Sequence, residues 1–120
     1  MAESDRARSI ARAYHDAWTS RDFVRAADLL ASDLTIEVPI NSYPTKESFV
    51  QALAAFGALV DRTDMLAEFA SDDGALLLYD MHVGALGVIR IAEHFTVRSG
   101  RITRIRQVHD TAPMRAARLG

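Results

Sequence analysis

The sequence has no cysteine, and its charges of opposite sign nearly balance. Without cysteine, the chain can form no disulfide, thiolate zinc site or cysteine nucleophile. The formal net charge of −2, from 14 basic and 16 acidic residues, lacks the basic excess that binding to a phosphate backbone requires. We therefore expect no nucleic-acid partner.

Long apolar runs are also missing. The first ten residues, MAESDRARSI, are charged, and no apolar run approaches the length that spans a bilayer. These features favour a cytoplasmic protein without a membrane partner. The 120 residues, 49% of them hydrophobic, have the size and apolar content of one core. We expect a single domain over residues 1–120.

The apolar residues change their period near the middle of the chain. Before about residue 60 they recur at helical spacing, which predicts helices in the N-terminal half. In the first helix, roughly residues 4–19, Ile10, Tyr14 and Trp18 lie four apart and therefore share one face.

Capping residues and a proline divide the rest of this half. Ser20 is the expected cap of a second helix, and Thr45 is the expected cap of a third. Between these helices lies a short strand, residues 34–38, which Pro39 ends. The predicted order is therefore helix, helix, strand, helix.

The second half alternates apolar and polar residues in short runs that glycine-containing turns separate. Because helices come first and hairpins follow, the order indicates an α+β fold with one antiparallel sheet rather than parallel βαβ units. The tail from Thr111 is predicted to be loosely organised. The predicted strands cover residues 64–71, 75–83, 87–98 and 101–110.

Three segments carry a resemblance to a known superfamily: YHDAWTSRDF from Tyr14, LTIEVP from Leu34, and AEHFTV from Ala92 followed by SGRITRIRQV. Their order and separation resemble the first helix, first strand and last hairpin of nuclear-transport-factor-2-like proteins of the SnoaL-like or ketosteroid-isomerase-like type. The resemblance covers nearly the whole chain. It implies a cystatin-like cone, in which a curved antiparallel sheet packs on three N-terminal helices. It does not specify the reaction, since this fold hosts enzymes and non-enzymes alike.

The resemblance also implies a pocket for a small organic molecule between the sheet and the helices. In ketosteroid isomerases a first-helix tyrosine and a late-strand carboxylic acid donate hydrogen bonds to the developing enolate, and an aspartate after the first strand moves the proton. Tyr14 and Glu93 stand at the first two positions, but Val38 stands at the base position and cannot accept a proton. The nearby Glu37 would face the opposite side of the strand. The best-known chemistry of the family is therefore not simply inherited.

Glu93 lies in a strand whose alternate residues, Ile91 and Phe95 among them, are apolar. All of these residues would share one face with Glu93. A carboxyl group among apolar neighbours is hard to ionise, as the protonated acid of ketosteroid isomerase illustrates. We expect Glu93 to face inward, with Tyr14 in hydrogen-bonding reach or one water away. The alternative is an outward Glu93 paired with an arginine.

The strand LLLYDMHVG allows two orientations. Either its apolar set, including Tyr79 and Met81, or the pair Asp80 and His82 faces inward. Composition favours burying the apolar set, whereas counting back from Glu93 through the following glycine turn favours the pair. If Asp80 and His82 lie inside, they would supply a base and its orienting partner.

In the last strand, Gln107 and His109 share one face, and Arg104 and Arg106 share the other. Arginine is the more costly residue to bury, so we expect Gln107 and His109 to face inward. His94, next to an inward acid, should then lie on the outer face. Many members of the superfamily dimerise through that outer face, and the resemblance therefore implies a homodimer.

The candidate site combines catalytic residues with residues that contact the ligand. The catalytic candidates are Tyr14, Glu93, Asp80, His82 and His109. The expected ligand contacts are Trp18, Phe56, Ile91, Phe95 and Gln107. We expect no metal, because no helical His-x-x-x-His or Glu-x-x-His pair exists, and no cofactor.

The expected function is the binding of a small, mostly apolar molecule that carries a carbonyl or hydroxyl group. As an enzyme, such a protein would catalyse cofactor-free isomerisation, cyclisation or dehydration by proton transfer. The alternative is a ligand-binding or dimerisation module of the same fold without turnover.

Overall fold

The computed structural model describes residues 3–117 and contains a five-stranded curved sheet packed against helices. In chain order the elements are α1 (Glu3–Thr19), α2 (Phe23–Asp28), β1 (Leu30–Glu37), α3 (Lys46–Gly57), β2 (Arg62–Ser71), β3 (Gly74–Val83), β4 (Gly87–Arg98), β5 (Arg101–Val108) and α4 (Ala112–Ala116). The predicted α+β class is confirmed. None of the helices in residues 3–117 has the length and apolar character needed to cross a membrane.

The caps of the second and third helices differ in how well the sequence predicted them. Thr45 caps α3 through a capping box, in which its hydroxyl accepts from the Ser48 backbone N–H at 3.1 Å. The cap of α2 is Asp22, whose carboxylate accepts from the Arg25 backbone N–H at 3.1 Å. The prediction of Ser20 as that cap is wrong, because its hydroxyl instead bonds back to the last turn of α1.

The strands lie in the order β1-β5-β4-β3-β2. Strands β2 to β5 form the predicted antiparallel meander, but β1 pairs in parallel with β5, where Glu37 lies opposite Arg106. The sheet is therefore mixed rather than wholly antiparallel. The alternation of residues 34–38 could predict a strand but carried no information about its neighbour or its direction.

The tail contains a short helix, α4, where the sequence predicted loose organisation from Thr111. Pro113 stands in its first turn, where the missing N–H costs nothing. Met114 packs against the core and explains why this segment is ordered. Residues 118–120 lie outside the described residues.

The core lies between α1 and the inner face of the sheet. Leu77 and Phe95 are fully buried on that face, and the Phe95 ring meets the Tyr14 ring edge-on at a centroid distance of 5.6 Å. Burial of each such side chain contributes roughly 1.5–3 kcal/mol. On the opposite, outer face, Phe69 and Val108 are 64% and 71% exposed.

Candidate functional site

A cavity of about 350 Å³ lies between the inner face of the sheet and the helices. Its wall is mainly aromatic and aliphatic, and among the lining residues there is no arginine or lysine. Asn41, Ala55 and Leu59 both line the cavity and are exposed to solvent, so they mark its opening. A volume of this size suits a small organic molecule.

Glu93 lies in the cavity wall, and only 1% of its surface is exposed. Its carboxylate oxygen Oε1 accepts a hydrogen bond from the Tyr79 hydroxyl at 3.0 Å. The other oxygen, Oε2, accepts from Gln107 Nε2 at 2.6 Å. The inward placement agrees with the sequence prediction, whereas a role of Glu93 in binding or catalysis stays a prediction.

The environment of Glu93 opposes its ionisation. Burial raises its pKa from 4.5 to about 7, although the hydrogen bonds from Gln107 and Tyr79 act in the opposite direction. Both donors are neutral, so neither supplies the charge that would stabilise a carboxylate. Near neutral pH, Glu93 therefore exists in protonated and ionised forms.

Tyr79 takes the place beside Glu93 that the sequence assigned to Tyr14. Burial first, and then the charge of Glu93, raise the pKa of Tyr79, so its phenol remains a donor. Tyr14 is also buried and lines the cavity, and its pKa is raised by the same two causes. In the described chain, Tyr14 makes no direct hydrogen bond to Glu93. The apolar alternation of β3 was the signal that could have identified Tyr79.

Asp80 and His82 lie on the outer face of the sheet, which decides between the two orientations that the sequence left open, and their choice as catalytic candidates in the pocket is wrong. The Arg90 guanidinium donates to both Asp80 oxygens, at 2.8 and 3.0 Å. His82 Nε2 lies 2.8 Å from Asp64 Oδ2. Neither residue lines the cavity, and neither can act as its base.

The length of the β3–β4 turn explains this error. Three residues, Gly84 to Leu86, stand between the paired residues Val83 and Gly87. An odd number of turn residues places odd-numbered residues of β3 and β4 on the same face. Glu93 therefore shares its face with Tyr79 and the other apolar residues of β3.

The last strand has the predicted orientation. Gln107 lies opposite Glu93 in the β4–β5 pair, and His109, two residues further on, lines the cavity. The His109 ring nitrogen Nδ1 lies 3.0 Å from the Asp110 carbonyl oxygen. Arg106 is exposed on the outer face, where its Nη2 lies 3.1 Å from His94 Nδ1.

Four of the five expected ligand contacts line the cavity: Trp18, Phe56, Ile91 and Gln107. Phe95 is the exception, and its expected ligand contact is corrected. It has no exposed surface because it lies against Tyr14 under α1, and it belongs to the core beside the cavity.

His15 is a buried titratable residue that the sequence reading missed. Its Nε2 lies 3.2 Å from the Thr63 hydroxyl, and its ring meets the Tyr79 ring at a centroid distance of 4.6 Å. Burial lowers its pKa from 6.5 to about 4, so it is neutral at physiological pH. Ala11 and His15 lie four apart, and this spacing could have indicated a buried position.

Val38, at the position of the family base, lines the cavity, while Glu37 is exposed. The carboxylate next to Val38 therefore cannot replace the missing base. Within residues 3–117, no group of three or more histidine, cysteine, aspartate or glutamate side chains comes close enough to hold a metal ion. The polar groups of the cavity wall are suited to hydrogen bonding and proton transfer.

Residues 11–105 match the sequence model described as the SnoaL-like domain. The chain belongs to the SnoaL-like family. A crystal structure of a protein from Kribbella flavida is 33% identical, covers 96% of this chain and 95% of its own, and has a TM-score of 0.90. Among curated proteins, none matches this chain.

Two more distant structures share the SnoaL-like fold. An LEH-like epoxide hydrolase of M. tuberculosis is 22% identical, with coverages of 95% and 90% and a TM-score of 0.77. A steroid delta-isomerase of Pseudomonas aeruginosa is 16% identical, with coverages of 88% and 80% and a TM-score of 0.73. At these identities the likeness shows the fold alone, which confirms the resemblance read from the sequence.

Proposed function

We propose that this SnoaL-like chain binds a small, mostly apolar, uncharged molecule through a carbonyl or hydroxyl oxygen at Glu93. The observation that carries the proposal is a buried carboxyl group in the wall of a mainly apolar cavity. A bound carboxylate or phosphate would find no arginine or lysine among the lining residues. It would also meet Glu93, whose ionised form repels anions.

The two protonation states of Glu93 select different ligand groups. The protonated acid donates a hydrogen bond to a carbonyl oxygen, and the carboxylate accepts one from a hydroxyl group. Gln107 and Tyr79 hold the carboxyl group from the sheet side, which leaves its orientation fixed before the ligand arrives. Tyr14, in the same wall, supplies a further phenol within the cavity.

Three naphthalene derivatives test the binding proposal: 2-naphthol, 2-naphthaldehyde and the anion 2-naphthoate. We expect calorimetry at pH 6 to show that the two uncharged probes bind at least about ten-fold more tightly than the anion. At pH 8, where Glu93 is mainly ionised, Glu93→Gln removes its charge and should reduce the affinity ratio between the uncharged probes and 2-naphthoate. Asp80→Asn, on the outer face, should leave this ratio unchanged. Equal or tighter binding of 2-naphthoate to the wild type would contradict the proposal.

A second candidate function is cofactor-free proton transfer with His109 as the base. His109 lies in the cavity wall, one residue past the end of β5 and two residues after Gln107, which pairs with Glu93. Glu93 and His109 line the same cavity, so one small ligand can contact both side chains. Glu93 would hold the substrate oxygen while His109 removes or returns a proton in isomerisation, cyclisation or dehydration.

Exchange of carbon-bound hydrogen separates the enzyme from the binding module. With 2-tetralone in D₂O, we expect the wild type to accelerate deuterium incorporation next to the carbonyl, and His109→Ala to lose roughly ten-fold or more of that acceleration. His82→Ala, on the outer face, is the matched control. Binding of 2-tetralone without accelerated exchange would favour the non-catalytic alternative.

We also propose that two copies of the chain associate through the outer face of the sheet. Phe69 and Val108 are large and exposed there, and Ala92 between their strands permits close approach. Sedimentation at micromolar concentration should give a dimer for the wild type and a monomer for Phe69→Glu. Val24→Glu introduces the same charge at an exposed position of α2 and should leave the dimer intact. A monomeric wild type would contradict the proposal.

A further inference from the structure

The backbone after β1 is strained at Ile40. Its φ angle is 75°, in the left-handed region that β-branched residues avoid. The Asn41 N–H donates to the Pro39 carbonyl at 2.8 Å, so Ile40 is the central residue of a γ-turn of the strained type. Because 49% of the Ile40 side chain is exposed, its own packing offers little to offset this strain.

The turn separates two groups of cavity residues in the segment between β1 and α3. Val38 and Pro39 line the cavity before it, and Asn41 lines the cavity after it. Strained backbone conformations are concentrated at functional sites, where the surrounding structure holds them for a purpose. Asn41 directly follows the strained residue and is the one amide side chain at the cavity opening within the described residues.

We propose that the γ-turn at Ile40 holds Asn41 as a second ligand-binding group, and that the ligand therefore carries two uncharged oxygen functions on one apolar framework. The inference rests on the proposed function, in which Glu93 binds the first oxygen. The Asn41 amide provides both a donor and an acceptor, so it can bind a hydroxyl or a carbonyl group. Its lack of charge matches the absence of arginine and lysine from the wall.

The sheet register limits the distance between the two oxygens. Glu37 lies opposite Arg106 in the parallel β1–β5 pair, so Val38 lies beside Gln107, which contacts Glu93. Asn41 follows Val38 by three residues, which can span at most about 11 Å of chain. This length is an upper limit, and because Asn41 and Glu93 line the same cavity of about 350 Å³, a framework of one or two fused rings is the ligand size we expect to contact both.

The test compares 2-naphthol, with one hydroxyl group, with 2,6- and 2,7-dihydroxynaphthalene, which have two. In the wild type we expect at least one diol to bind roughly three-fold to ten-fold more tightly than 2-naphthol, the gain of one good hydrogen bond. In Asn41→Ala this affinity ratio should fall to about one. Ser42→Ala, at the next residue, which does not line the cavity, should preserve the ratio.

The inference would be overturned if both diols bound the wild type no more tightly than 2-naphthol, or if the diol preference persisted in Asn41→Ala. In either case, binding of 2-naphthol would leave the proposed function intact. Failure of 2-naphthol to bind would overturn the proposed function and the inference together. The role of the turn itself is tested by Ile40→Pro, because the proline ring fixes φ at about −65° and cannot adopt the positive φ that the γ-turn requires. This variant should still bind 2-naphthol but lose most of the diol preference.

Ile40→Gly is the matched control, since glycine adopts positive φ without strain and therefore keeps the turn. It should keep the diol preference of the wild type. An undiminished preference in Ile40→Pro would show that the γ-turn does not hold Asn41, and that part of the inference would be wrong.

Discussion

Glu93 and Asp80 are carboxylates on neighbouring strands, β4 and β3, but they lie on opposite faces of the sheet. Glu93 is buried with two neutral hydrogen-bond donors, and its pKa rises to about 7. Asp80 is held by two hydrogen bonds from Arg90 at the surface, and its pKa is lowered, mainly by these bonds. The comparison shows that face and partner determine which carboxylate can serve as an acid near neutral pH.

The largest expected effect concerns Glu93→Gln. Folding raises the Glu93 pKa from 4.5 to about 7, so the folded state holds its proton more strongly than the unfolded state does. This contribution to stability is complete below pH 4.5 and is lost as the pH rises to about 7, which amounts to about 3 kcal/mol. In urea unfolding, the free energy of unfolding of Glu93→Gln should therefore rise relative to that of the wild type by about this amount between pH 4.5 and 8. Parallel pH profiles would refute the buried-acid description.

His15 extends the comparison to a buried base, with the opposite sign. Because folding lowers its pKa from 6.5 to about 4, the unfolded state binds the proton first as the pH falls. His15→Phe keeps the ring against Tyr79 but cannot be protonated. Relative to the wild type, it should gain about 2 kcal/mol in free energy of unfolding between pH 7 and 5. No gain in this interval would mean that His15 reaches solvent.

Tyr79→Phe sharpens the account of Glu93 itself. The Tyr79 hydrogen bond favours the carboxylate, so its removal should raise the Glu93 pKa further, by about one unit. Carbon NMR of labelled glutamate side chains would follow this titration. Tyr43→Phe removes another phenol from the cavity wall and should leave the Glu93 titration unchanged. A lower Glu93 pKa in Tyr79→Phe would show that water replaces the phenol.

The smallest effect is expected from Asp80→Asn. This variant breaks an ion pair at the surface on the face away from the cavity. The affinity for 2-naphthol should stay within about two-fold of the wild-type value, since exposed pairs contribute little. The pKa of Glu93 should be the same as in the wild type. A larger change would mean that the two faces of the sheet are coupled.

The sequence predicted those parts of the site that depend on alternation within one strand. Glu93, Gln107 and His109 face inward because their strands have a clear apolar face or costly arginines on the other side. It failed for Asp80 and His82 because their orientation depended on the number of residues in the β3–β4 turn, which the glycines alone do not specify.

The remaining errors also concern relations between elements. The alternation in β1 predicted a strand, but its parallel pairing with β5 joins residues that are distant in the chain. Phe95 has the residue type and face of a ligand contact, but the position of α1 places it in the core. His15 lies beside the predicted face of α1, and its burial depends on β2 and β3. Such contacts follow from tertiary packing, which local spacing does not encode.

The pairing of β1 with β5 also has a consequence for how the chain folds. During synthesis β1 leaves the ribosome long before β5, and it must wait without its hydrogen-bonding partner. Closing such a long loop is entropically costly, and contacts of this kind slow folding. The antiparallel strands β2 to β4 need only adjacent hairpins and can assemble first. The wall that joins Val38 to Gln107 is therefore completed last, so the chain acquires its cavity only when its final strand docks.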